Sequence, residues 1–203
     1  MKELEELSLR HRNNYKTEVL KFYKYIEGLD DLNHLKHLIG FHLAPSICKI
    51  KVGSLINLKN SKKDLASTWS TYKDEIAKFF NIDFIELKND DDALLLYFYN
   101  ADELISRVNN RQISSYLTTI GYEKNENINY YLKKLQENCK CSIPSEVGIF
   151  LDYPLSDVID FESNSKECKY CGYWKCYNDV KGAKNLCRLY DITKMDYINK
   201  IMN

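Results

Sequence analysis

Apolar residues recur along this chain with two different periods, and the switch between them lays out its elements. Val19, Phe22, Tyr23 and Ile26 return every three or four positions in a stretch with no Pro or Gly before Gly28. That spacing predicts a helix over residues 2–27, with those four on one face, Lys16, Lys21 and Lys24 mainly on the other, and Gly28 as its C-terminal cap. A second helix is expected from Asp30 or Asp31, as N-cap, to the residue before Pro45, with Leu35, Leu38 and Ile39 as its stripe. Leu65, Trp69, Tyr72, Ile76, Phe79 and Phe80 repeat the helical spacing over 63–80. Between these two helices the pattern is ambiguous. Ile47, Lys49 and Lys51 alternate with Cys48, Ile50 and Val52, which hints at a strand, and 54–58 reads equally as a short helix or a strand.

The period then drops to two or less. Residues 82–87 are rich in strand formers, Asn89 to Asp92 form a turn cluster, and Leu94 to Tyr99 are apolar at every position. This reads as a β-hairpin whose second strand is buried on both faces and therefore central. Three helices are expected next, over 101–108, 111–120 and 127–138, with Asn100 capping the first, Gly121 closing the second and Asn125 or Asn127 capping the third. Beyond Pro144, Ser145-Glu146 opens a capped helix, Tyr153-Pro154 breaks it, and Pro154 suits the first turn of another over 155–161. A strand over 173–177 and a terminal helix capped by Asp179, carrying Val180, Ala183, Leu186 and Leu189, complete the chain. The expected fold is one α+β domain over 1–203. A small, mostly antiparallel sheet (the hairpin near 82–99 plus a strand near 172–177) is packed by about seven helices, and 1–28 form a peripheral N-terminal helix.

Composition changes this picture little. The chain has 203 residues, 44% of them hydrophobic and 29% charged, so it reads as folded rather than disordered. Its 29 basic and 29 acidic residues balance, which argues against nucleic acid as a partner and leaves no general attraction to anionic lipid. The richest basic run, Lys59-Asn-Ser-Lys-Lys63, reads as a solvated loop. The first residues alternate charge with Leu and carry no apolar signal segment, and the longest apolar run, Ala93 to Tyr99, is seven residues, too short to span a membrane. The expected location is the cytoplasm. In a reducing compartment the seven cysteines are buried apolar residues, metal ligands or reactive thiols rather than disulfides.

Several groups of residues carry possible chemistry. Cys168-Lys-Tyr-Cys171-Gly172 aims two thiols at one point, half of a zinc site that Cys176 or the pair Cys139 and Cys141 would complete; a redox pair and plain packing are the alternatives. His34, His37 and His42 lie within nine residues and suit a haem or metal edge, or simply half-exposed helix positions. Asp90 to Asp92 resemble a calcium loop in composition alone, and a hairpin turn is the better reading. Tyr170, Tyr173, Trp174 and Tyr177 form the densest aromatic run, able to stack a flavin, a haem or a base, or to pack a core. Strand alternation would place Tyr173, Lys175 and Tyr177 on one face and Trp174 on the other. No nucleophile elbow surrounds Ser46, and there is no Walker loop or dinucleotide glycine fingerprint.

Two motifs carry a family resemblance. One is His42-Leu43-Ala44-Pro45-Ser46, with Lys51 and the Ser54-Leu-Ile-Asn-Leu58 run after it. The other runs from Glu146-Val-Gly-Ile-Phe-Leu-Asp-Tyr-Pro-Leu-Ser-Asp-Val158 to Gly172-Tyr-Trp-Lys175 and Tyr177. Together they resemble an uncharacterised bacterial family, domain of unknown function 3793, over nearly all of the chain from about Leu35. The resemblance implies a small cytosolic protein and, through gene company, a link to flavodoxin or iron metabolism. The first motif departs from the family pattern, which has Cys and Thr where Leu43 and Ser46 stand, and the cysteines at 168, 171 and 176 are not family features.

The expected function is a non-enzymatic accessory protein that binds a small molecule or a protein partner, with zinc, haem or flavin as possible cofactors. Its pocket would be walled by the His42–Pro45 turn on one side and the Tyr153–Trp174 region on the other. The candidate binding residues are His42, Pro45, Ser46, Lys51, Tyr153, Tyr173, Trp174 and Lys175. One alternative is an enzyme of redox or cofactor metabolism with His42 as acid or base and Lys51 or Lys175 holding an anionic substrate. Another is a module stabilised by zinc through Cys168, Cys171 and Cys176.

Overall fold

A strand with no polar side chain facing solvent must be covered on both sides, and Leu94–Tyr99 (β3) is covered in that way in the computed structural model, which describes residues 2–59, 63–90 and 94–203. All six of its residues are buried. Gly53–Leu58 (β1) and Asp83–Asn89 (β2) flank it, both antiparallel, in the order β1-β3-β2. The hairpin expected near 82–99 is β2–β3, with β3 central. A bulge at Leu87 shifts the register between Glu86 and Lys88.

The two faces of β3 feed two cores. Leu95, Tyr97 and Tyr99 pack with Ala101–Val108 (α4), Arg111–Thr119 (α5), Ile128–Asn138 (α6), Val147–Phe150 (α7) and Leu155–Ser163 (α8). Leu94, Leu96 and Phe98 pack with Asp31–Ile47 (α2) and Leu65–Phe80 (α3), chiefly through Leu35, Ile39, Leu43, Trp69 and Ile76. The N-terminal helix Lys2–Glu27 (α1) and the C-terminal helix Val180–Met202 (α9) pack against α2 around Phe22, Ile26, Phe41 and Ile198. Helices number nine among the described residues, rather than about seven.

Polar side chains mark the helix starts. Asp30, Asn110, Asn127 and Asp179 each accept backbone N–H groups of the first turn of α2, α5, α6 and α9. Asn100 does not cap α4 as expected; its amide donates to the Ser46 carbonyl at 3.0 Å and ties α4 to the end of α2. The Ser145-Glu146 start of α7 likewise lacks a side-chain cap.

Three segments differ from the pattern-based reading. α2 does not stop before Pro45 but carries it, buried, in its last turn. A proline there forfeits one hydrogen bond, to the carbonyl four residues back, and Ile50 N–H still closes on the Pro45 carbonyl at 2.9 Å. Residues 48–52 are a turn rather than a strand, with Lys49 left-handed at φ 55°, and the strand follows at 53–58. The predicted strand over 173–177 is instead half of a small separate ribbon, Tyr170–Cys171 (β4) against Lys175–Cys176 (β5), with Tyr173 and Trp174 in its tip. The ribbon does not join the main sheet. The basic run 59–63 and the acidic turn 89–92 lie partly outside the described residues, which exclude 60–62 and 91–93.

Asp157 of α8 fixes the ribbon. Its carboxylate accepts Trp174 Nε1–H at 2.8 Å, the backbone N–H groups of Tyr177 and Asn178 at 3.1 Å each, and Asn178 Nδ2–H at 2.8 Å. Burial alone would raise the Asp157 carboxyl, but these donors outweigh it and hold it below the ordinary range.

Candidate functional site

Where α2 ends, the chain turns sharply into β1, and this corner faces the middle of α9 across a cavity of about 300 Å³. α2 contributes His42 and Pro45, the turn Lys51, and β1 Ser54 and Leu55. The segment after α7 adds Leu151 and Tyr153, the ribbon tip Tyr173, and α9 Tyr190 and Lys194. Tyr190 and Lys194 are four residues apart and so share a helical face.

Five of the eight expected binding residues (His42, Pro45, Lys51, Tyr153 and Tyr173) therefore line one cavity. Ser46 stands just behind it, hydrogen-bonded at 2.8 Å to the lining Ser54 hydroxyl and not to His42. Trp174 and Lys175 belong elsewhere. They line a second, mostly apolar cavity with Ile143, Val147 and Phe161, of about 330 Å³. Tyr153 borders both, and Trp174 stacks on its ring at 5.1 Å between centroids. The strand alternation expected to put Lys175 beside Tyr173 fails because both lie around a tight ribbon turn. Lys175 instead reaches over the exposed Phe161 ring.

The first cavity is electrostatically unusual. Lys51 is 8% exposed and Lys194 7%, and among the described residues neither ammonium makes a hydrogen bond or an ion pair. Their contacts are aromatic faces. Lys194 Nζ lies 4.5 Å from the Tyr173 centroid and 5.1 Å from that of Phe41; Lys51 Nζ lies 5.4 Å from Tyr153 and 5.8 Å from Tyr190. Burial, then repulsion from Lys194, pulls Lys51 down to about 7 against the opposing pull of Asp152. Burial pulls Lys194 down to about 8, with Asp191 opposing. Burial and then the two lysines lower His42 to about 4, so it is neutral at pH 7. Its Nε2 stands 3.4 Å from the Tyr23 hydroxyl of α1.

The nearby carboxylates are already committed. Asp152 pairs with Arg107 at 2.7 Å and accepts the Val52 N–H. Arg107 also donates to the Ile149 and Tyr153 carbonyls, which fixes the segment carrying Tyr153. Asp191 accepts the Tyr173 hydroxyl at 2.7 Å, and Tyr15 of α1 bonds to the same pair. The Tyr190 hydroxyl, buried at the cavity, is the one buried side-chain polar atom without a hydrogen-bond partner among the described residues.

Lys194, Tyr190 and Ser54 were not foreseen. A lysine in a long amphipathic helix looks like any solvated one, and only its i−4 tyrosine and the fold around it mark it out. The histidines do not gather. His34 Nδ1 meets the Ile26 carbonyl and His37 Nδ1 the Tyr197 hydroxyl. Among the described residues, no group of three or more His, Cys, Asp and Glu side chains is placed to hold a metal. Cys168 Sγ donates to the Tyr170 carbonyl at 3.3 Å, Cys171 is exposed, and Cys176 is fully buried with its thiol pushed up by burial and by Asp157. Cys139 is buried and pushed up to about 11, while Cys141 is exposed.

In comparisons with known proteins, a family model described as a protein of unknown function, DUF3793, matches residues 39–203. No curated protein and no solved structure matches the chain.

Proposed function

The chain belongs to the DUF3793 family, and we propose that it is a cytoplasmic accessory protein whose cavity between α2, β1 and α9 binds a small organic anion built on a single ring. One observation carries this reading: two lysines, each more than nine-tenths buried, line one cavity, and among the described residues neither ammonium has a hydrogen-bond or ion-pair partner. A buried charge without a partner is costly, and an anion placed between the two lysines would remove that cost. The Tyr153, Tyr173 and Tyr190 rings, with Leu55, Leu151 and Pro45, offer flat and apolar surface for the body of the ligand. The volume lies at the lower end for ligand pockets, which suits one ring with a carboxylate or phosphate better than a haem or a whole flavin. That no helix of the described residues is long and apolar enough to cross a membrane accords with this placement.

Calorimetric titration with 4-methylbenzoate tests the reading. Saturable binding is expected, weakened about tenfold or more in Lys194→Met, because a charge-assisted contact is lost. Affinity should fall as pH rises through about 7 and then about 8, as Lys51 and Lys194 lose their protons. No saturation below about 10 mM ligand would remove the proposal. The alternative of an enzyme using His42 is less favoured, since burial and repulsion from Lys194 and Lys51 hold His42 down and, among the described residues, no carboxylate bonds to it.

A further inference from the structure

An amine nucleophile needs a free lone pair, room for an electrophile and something to hold the electrophile in place. Lys51 meets all three conditions. Its side chain is nine-tenths buried, its Nζ makes no hydrogen bond or ion pair among the described residues, and it opens on a cavity large enough for a small molecule. Lys194, which lines the same cavity, can anchor a negative group, and Tyr153, Tyr173 and Tyr190 line it as well. We propose that Lys51 forms a reversible imine with a small carbonyl compound that also carries an acidic group, held by Lys194 and the tyrosine rings. The inference rests on the anion-binding reading above and names the electrophile within it.

The step balances without any oxidant or reductant. The Lys51 lone pair attacks the carbonyl carbon and the C=O π pair moves to oxygen. A proton passes from nitrogen to that oxygen, giving a carbinolamine. Loss of water, with one further proton to the departing oxygen and one lost from nitrogen, leaves the C=N bond. Tyr190, whose side chain lines the cavity, is kept protonated by burial and by Asp152. The groups that face Lys51 set its protonation from every side. Lys194 on α9 and the aromatic faces of Tyr153 and Tyr190 surround it, neutral His42 borders it on α2, and Asp152, held by Arg107 of α4, opposes the loss of its proton. With its proton leaving at about 7, Lys51 offers on the order of a thousand times more free amine at pH 7 than an ordinary lysine.

The test is reductive trapping on the whole protein. Wild-type protein is incubated with 4-formylbenzoate and cyanoborohydride at pH 7, and the modified lysines are mapped by peptide mass spectrometry. Lys51 should be labelled at least about tenfold faster than the surface lysines and about fivefold faster than Lys194, with protection by 4-methylbenzoate. In Lys51→Arg, which has no nucleophilic amine, the cavity adduct should disappear. If 4-methylbenzoate binds the wild type but Lys51 is labelled no faster than surface lysines, or Lys194 is labelled first, the imine is overturned and the binding reading stands. If 4-methylbenzoate fails to bind and Lys51 is not singled out, both fall. Because the decisive labelling is done on the wild type, a variant that fails to fold leaves the outcome intact.

Discussion

Lys51 concentrates the residue-scale physics. Its ammonium loses hydration on folding and gains only aromatic faces and a distant share of Asp152 in return. In the unfolded chain it would hold its proton up to the ordinary lysine value of 10.5, whereas folded it gives it up near 7. Between those limits the unfolded state binds more protons, so this residue makes stability rise with pH. Its cost is full below about 7 and gone above 10.5. Lys51→Met should therefore stabilise the protein by about 1–4 kcal/mol near pH 6, with a gain that shrinks toward pH 10, as read by urea unfolding at several pH values. The same variant should lose 4-methylbenzoate binding, the usual exchange of stability for function at a site. The sequence pointed to Lys51 because it follows a recognisable motif. It was silent on Lys194, whose neighbours in the chain are those of any amphipathic helix.

At the scale of elements, the helices were legible and the ribbon was not. Cap residues such as Asp30, Asn127 and Asp179 act through bonds two or three positions away, so their signal is contained in the sequence. The strand β3 announced itself by being apolar throughout. The stretch 173–177 holds a strand, β5, but it pairs in the separate ribbon and not in the main sheet, because its shape is set by a partner on another element. Asp157 gathers Trp174, Tyr177 and Asn178, and no local period encodes that grip. Asp157→Ala should cost about 2–4 kcal/mol by leaving buried donors unmet, measured by thermal or urea unfolding. The contribution is present above the ordinary carboxylate value and is lost as pH falls through the lower folded one. Because Tyr173 rides on the ribbon and forms a wall of the cavity, the variant should also weaken 4-methylbenzoate binding.

Across the whole molecule, the cavity is assembled from residues 42–55, 151–153, 173 and 190–194, segments far apart in the chain. Proximity of such distant segments is a property of the fold, and the candidate residues chosen from the sequence supply five of its ten lining residues. A ligand there touches α2, β1, α9 and the ribbon together, so its binding energy should register in global unfolding. At a hundredfold excess over Kd it should add about 2.7 kcal/mol. A thermal-shift series with 4-methylbenzoate should show a rise in Tm at pH 6 that vanishes near pH 9, once both lysines are neutral.

The central strand has one further consequence. β3 sends odd-numbered side chains to one core and even-numbered ones to the other, so it works like a reading frame. Dropping a single residue inside 94–99 would deliver every following side chain to the wrong address and disturb two cores at once. Changes of length in this protein should therefore be confined to the connections outside that strand.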